Sequence, residues 1–115
     1  MKKMTQITLA LILASSTFAM ECVGSKTFRD NLGNSQRKEV ILEKAFDYSD
    51  DKIHADIEEA YFVFTKYDQE KYVAKITFGP DYTKGIASTA TFDMNNRFEL
   101  ASVNGGTVYK LVCRK

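Results

Sequence analysis

The chain has 115 residues, 44% of them hydrophobic, with 16 lysines and arginines set against 15 aspartates and glutamates. That length fits one domain with a modest core, and the near-neutral, interspersed charge excludes the basic patch that nucleic acid or an anionic membrane would require. One histidine, two cysteines and no tryptophan leave little material for a metal centre or a histidine-based triad.

The first residues, "MKKMTQITLALILASSTFAM", place Lys2 and Lys3 ahead of an apolar run from Ile7 to Ala14 and then small residues up to Ala19. This order is that of a secretory signal peptide. The apolar run is too short for a membrane span, which needs roughly 20 residues. Cleavage is expected after Ala19, with a cut after Ser16 as the second option, so that 1–19 is signal and 20–115 is the mature domain. A lipoprotein signal needs a small residue directly before the modified cysteine, and Glu21 occupies that place before Cys22. Losing the two signal lysines gives the mature chain a net charge of −1. An even pair of cysteines at the two ends of an exported domain is expected to be bridged, Cys22 to Cys113. Closing a loop of about 90 residues stabilises the fold by roughly 4 to 5 kcal/mol in the chain-entropy model.

Within 20–115 no linker or repeat divides the chain, and alternation of apolar and polar residues dominates. The segment "RKEVILEKAF" reads as one long strand with Val40, Leu42 and Phe46 on one face and Glu43 on the other. "SDDKIHADIEE" is ambiguous: Ile53 and Ile57 are four apart and Ser49 suits a helix cap, yet Ile53, Ala55 and Ile57 also alternate with His54, Asp56 and Glu58. Strand is preferred because the neighbours are strands. "AYFVFTK", Ala60 to Lys66, is apolar enough to be buried on both faces. "KYVAKITF" puts Tyr72, Ala74, Ile76 and Phe78 on one face and Lys71, Lys75 and Thr77 on the other. "GIASTATFD" and "RFELASV", separated by the polar "DMNNR", are expected to form a hairpin. Asn104, Gly105 and Gly106 then signal a tight hairpin into a last strand whose Tyr109, Leu111 and Cys113 share the inner face. The fold class is therefore all-β, a small antiparallel up-and-down barrel or two-layer sandwich of about seven or eight strands with its ends joined by the disulfide.

In outline, a single antiparallel domain bracketed by Cys22 and Cys113 resembles small secreted bacterial β-barrels such as the periplasmic inhibitors of animal-type lysozyme. The Ser-Gly loop with a following aromatic residue that those inhibitors use is not found in "TKGIAST", so the resemblance concerns architecture and implies no functional residues.

The catalytic constellations are thin. His54 sits among Lys52, Asp56 and Glu58 and reads as a solvated surface residue. Asp50, Asp51 and Asp81 are the only carboxylates suggestive of acid/base work. Asp93, Asn95 and Glu99 in "DMNNRFE" lack the glycine and the length of a calcium loop and read as a turn. No cofactor and no metal is expected. Tyr48, Tyr67 and Tyr82 fall in or beside turns, where an exposed tyrosine is the usual ingredient of a binding face. The candidate binding loop is "FGPDYTKG", with Pro80, Asp81, Tyr82 and Lys84 between two glycines. The expectation is a non-enzymatic periplasmic or extracellular binding protein with a protein partner, such as an inhibitor of an envelope-active hydrolase. The alternatives are a carrier of a small hydrophobic ligand, which requires an unfilled barrel interior, a structural envelope protein, and a hydrolase using Asp50, Asp51 or Asp81.

Overall fold

In the computed structural model, residues 20–44, 52–68 and 71–115 are described. Residues 1–19, where a signal peptide is expected, and Phe46, Tyr48, Ser49, Asp50 and Asp51 lie outside them. Among the described residues there are nine strands: β1 (Glu21–Arg29), β2 (Ser35–Ile41), β3 (Glu43–Lys44), β4 (Lys52–Ile57), β5 (Ala60–Asp68), β6 (Lys71–Phe78), β7 (Lys84–Ala90), β8 (Arg97–Asn104) and β9 (Thr107–Arg114). They form two antiparallel sheets, one in the order β2-β1-β9-β8 and one in the order β3-β4-β5-β6-β7. Each ladder joins strands that are consecutive in sequence, except that β1 pairs with β9.

The expected long strand over "RKEVILEKAF" is broken. Its apolar Leu42 turns into the core, where it is 6% exposed and its N–H donates to the carbonyl of Cys22 at 3.0 Å. The chain crosses there from one sheet to the other, so one predicted strand becomes β2 and β3. The ambiguous segment resolves as a strand over Lys52–Ile57, followed by a two-residue turn at Glu58 and Glu59. Glu58 has φ 53, the positive value that the first central residue of a type II′ hairpin turn takes.

The expected hairpin between "GIASTATFD" and "RFELASV" does not form, because β7 pairs with β6 and β8 with β9, in different sheets. The intervening turn is nevertheless real: Asp93 Oδ1 accepts the N–H groups of Asn95 and Arg97 at 2.8 and 3.0 Å, which also accounts for that carboxylate. A self-bonded aspartate fixes a local change of direction and says nothing about which sheet the chain enters next. The Asn104–Thr107 hairpin forms as expected, with Gly105 and Gly106 at φ 60 and 83, as a type I′ turn requires.

The core lies between the sheets. Phe62, Phe64, Ile76, Leu111, Cys22 and Cys113 are wholly buried, each apolar side chain contributing about 1.5 to 3 kcal/mol. Phe64, Tyr72, Phe92 and Phe98 form an aromatic group, Phe64 stacked on Tyr72 at 5.3 Å and Phe92 edge-on to both. The sheets approach closely at Gly24, where an added Cβ would stand 2.7 Å from the Phe62 ring. Cys22 and Cys113 face each other across β1 and β9 and are bonded, their Cα atoms 4.1 Å apart. That spacing belongs to a non-hydrogen-bonded pair, where opposed side chains are closest.

Two outcomes follow for stability. Replacing both cysteines by serine is expected to cost up to about 4 to 5 kcal/mol in urea unfolding of the 20–115 domain; an unchanged midpoint would show that the β1–β9 pairing does not depend on the bridge. Gly24→Ala is expected to cost about 1 to 3 kcal/mol by overpacking against Phe62, and Gly24→Ala combined with Phe62→Leu should recover part of that loss in the same assay.

Candidate binding face and its ionic support

Three consecutive inward positions of β1 are Cys22, Gly24 and Lys26. Lys26 is an amine where the alternation calls for a core residue, and its side chain is 13% exposed. It reaches the rim of the core and binds the β4–β5 turn, with Nζ 2.7 Å from Glu58 Oε1 and 2.9 Å from Glu59 Oε2. Lys38 of β2 completes the group at 2.7 Å from Glu58 Oε2. The hydroxyl of Tyr109 donates to Glu59, and the Tyr109 ring packs edge-on against Phe78 at 4.8 Å. Two cations and two carboxylates balance, and Lys26 also lies over the Phe28 ring at 5.3 Å.

The electrostatics follow from this arrangement. Hydrogen bonds from Lys26 and Lys38 hold the Glu58 carboxyl down at about 2. Burial works against the charge on Glu59, but hydrogen bonds from Tyr109 and Lys26 outweigh it and lower that carboxyl too. Burial and the bond to Glu59 push Tyr109 up to about 12. Lys26 is raised, its two carboxylate partners overcoming the burial that opposes its charge.

The anchored turn positions the β6–β7 loop. The carbonyl of Glu59 accepts the N–H of Gly79 at 2.7 Å, and the Gly79–Pro80 peptide that follows is cis. Tyr82 then donates its N–H to the Phe78 carbonyl at 3.0 Å and adopts φ 59, an uncommon value for a bulky residue. The consequence is directional: the Tyr82 ring folds back over Gly79 and meets Tyr61 edge-on at 6.1 Å.

Tyr61 belongs to the outer face of the five-stranded sheet. Its hydroxyl lies 2.9 Å from Nδ1 of His54, a diagonal neighbour on β4, and the two rings are edge-on at 5.6 Å. His54, expected to be a solvated surface residue, is therefore half-buried and hydrogen-bonded. Val63, also on this face, is only 7% exposed because His54 and Lys75 stand directly opposite it on the flanking strands. This explains how β5 is buried on both sides although one side faces outward. Tyr61, Tyr67 and Tyr82, with Lys52, Thr65 and Lys75, line one open cleft here. Among the described residues no carboxylate lines it, and Lys52 and Lys75, like Lys66, Lys71 and Lys84, have no ion-pair partner.

Of the loop residues singled out from sequence, Tyr82 alone reaches this cleft. Pro80 shapes the loop, Asp81 Oδ1 accepts the N–H of Thr83 at 3.3 Å, and Lys84 opens β7 opposite Phe78, on the other side of the strand from the tyrosines. Tyr67 is 67% exposed at the cleft's far end. Tyr61, His54, Lys52 and Lys75 were not anticipated as a group. The available signal was the alternate run Tyr61, Val63, Thr65, Tyr67, hidden by the apolar residues between them. Among the described residues no cluster of three His, Cys, Asp or Glu side chains could hold a metal ion. Comparison with protein-family models, curated proteins and solved structures finds no match for this chain.

The ionic support makes a pH prediction. Glu58 titrates near its ordinary 4.5 when unfolded and near 2 when folded. Its contribution is present above about 4.5 and is lost as pH falls toward 2, since protons then bind the unfolded chain first. Glu59 acts in the same direction. Thermal unfolding followed from pH 6 to pH 2 should show a falling midpoint whose slope is reduced in Glu58→Gln. Equal slopes in the two proteins would remove Glu58 from this role.

Proposed function

We propose that this chain is an exported, non-enzymatic binding protein that grips an acidic protein partner through the outer face of its five-stranded sheet. The observation carrying this reading is a cleft lined by three tyrosines and two lysines without ion-pair partners, with no carboxylate among the described residues of its lining. Tyrosine offers a large contact area with few rotatable bonds, and unpaired lysines at a rim steer an anionic surface toward it. The ring edges of Tyr61 and Tyr82 are held in place before any partner arrives, so less ordering is required on binding.

An envelope-active glycoside hydrolase is the partner class this chemistry favours. Such enzymes carry a pair of carboxylates in their active site, whose negative charge complements a tyrosine cleft flanked by Lys52 and Lys75. The Cys22–Cys113 bridge suits an oxidising compartment outside the cytoplasm. A hydrophobic-ligand carrier gains no support from the interior, where Phe62, Phe64, Ile76 and Leu111 occupy the space between the sheets without exposure.

Binding of the oxidised 20–115 domain to purified peptidoglycan-cleaving glycosidases, measured with their residual activity, tests the reading. Tight binding with loss of enzyme activity is expected. Tyr82→Ala should weaken it by about 30-fold, the effect of a residue worth about 2 kcal/mol. Lys52→Glu with Lys75→Glu should slow association and flatten its dependence on salt. Binding that none of these substitutions alters would place the interface elsewhere.

A further inference from the structure

We infer that two copies of this chain associate edge to edge through β7, antiparallel and centred on Ala87. The argument starts from which backbone groups are free. The two-residue turn at Glu58–Glu59 makes Ile57 and Ala60 a hydrogen-bonded pair, and such pairs alternate along each ladder. Carried across β5 and β6 through the observed registers, the alternation bonds Lys84, Ile86, Ser88 and Ala90 to β6. Gly85, Ala87 and Thr89 then point their N–H and C=O groups away from β6, where no strand among the described residues pairs with them. The hydroxyl of Ser88 donates to the Thr89 carbonyl at 2.9 Å, as expected for a carbonyl with no ladder partner. Followed from the Asn104–Thr107 turn, the same rule makes Cys22 and Cys113 a non-hydrogen-bonded pair, in agreement with their 4.1 Å spacing.

Open strand edges are normally guarded by charge, brevity or cover. The other three edges are guarded. β2 carries Arg37, Lys38 and Glu39, β3 is two residues long, and β8 carries the Arg97–Glu99 ion pair at 2.6 Å. β7 is different: from Gly85 to Phe92 there is no charged side chain, and Gly85, Ala87 and Thr89 are small and exposed. Paired with itself about Ala87, it sets Gly85 opposite Thr89, Ile86 opposite Ser88 and Lys84 opposite Ala90, so no like charges meet. β2 paired with itself about its central residue would put Lys38 against Lys38. Charge thus admits a second copy at β7 and rejects one at β2.

Sedimentation equilibrium of the oxidised 20–115 domain over a range of concentrations tests this, and a reversible dimer is expected. Ala87→Lys should give a folded monomer that melts slightly lower than wild type, because position 87 is exposed and the new lysine stands opposite Lys75. Ala87→Cys should form an interchain disulfide on mild oxidation, since opposed Cα atoms of a hydrogen-bonded pair lie about 5.5 Å apart, within disulfide reach. Glu99→Cys on the β8 edge should not. A wild-type monomer at every concentration overturns the inference, as does a dimer that survives Ala87→Lys or fails to cross-link through Ala87→Cys. These results are independent of glycosidase binding, which reads the tyrosine face.

Discussion

The pairing of β1 with β9 is the constraint on which the molecule depends. Every other ladder closes between strands that follow one another in the chain, but this one brings the first and last described strands together over a separation of 91 residues. Such closure is entropically costly and is repaid only once the ladder has formed. The Cys22–Cys113 bond makes the closure covalent at a position where opposed side chains are already close. β1 then does more than fill the centre of a sheet. Its successive inward residues act in three ways: Cys22 ties β1 covalently to β9 within its own sheet, while Gly24, by a gap that admits Phe62, and Lys26, by charge, join that sheet to the other.

The last of these connects the core to the candidate face. Glu58 is 48% exposed, so its ion pairs with Lys26 and Lys38 add little to global stability. Their effect is geometric. By fixing the β4–β5 turn they fix the carbonyl of Glu59, which holds Gly79, and the loop that begins there ends with Tyr82 against Tyr61. Tyr109 serves both sides of this arrangement, its hydroxyl on Glu59 and its ring on Phe78. A substitution at Lys26 would therefore be felt on the opposite sheet.

The strands were legible wherever one face is wet. "KYVAKITF" and "TVYKLVC" alternate cleanly, and their inward residues are those the alternation names. The break at Leu42 was not legible, because a leucine that turns into a core and one that points from a strand look the same in sequence. The β7–β8 relation failed for a related reason: Asp93 specifies a turn, while the choice of sheet is made by long-range pairing. The ionic group was invisible, since Lys26 stands 32 and 33 residues from its two glutamates and Tyr109 stands 50 from Glu59. Tyr82 could be singled out as exposed because an aromatic in a loop is a local signal. Its neighbours Tyr61, His54, Lys52 and Lys75 come from three strands whose registers no local signal sets.

The five-stranded sheet carries both the tyrosine cleft, with Lys52 and Lys75 unpaired, and the edge without a guard. Their relation is geometric. Strands in a sheet lie about 4.8 Å apart, and joining two β7 edges places five such intervals between the two β5 strands, about 24 Å. A strand-to-strand junction continues the sheet, so both tyrosine faces stay on the same side of it, tilted only by the ordinary twist. Two clefts of the same charge, facing one way at a fixed spacing, favour a partner that offers acidic sites in repetition, because the second contact is made at high effective concentration. A dimer formed through the opposite sheet would turn the two faces away from each other and lose that advantage. On the proposed reading, the unguarded edge and the tyrosine cleft of one sheet serve the same contact, made twice.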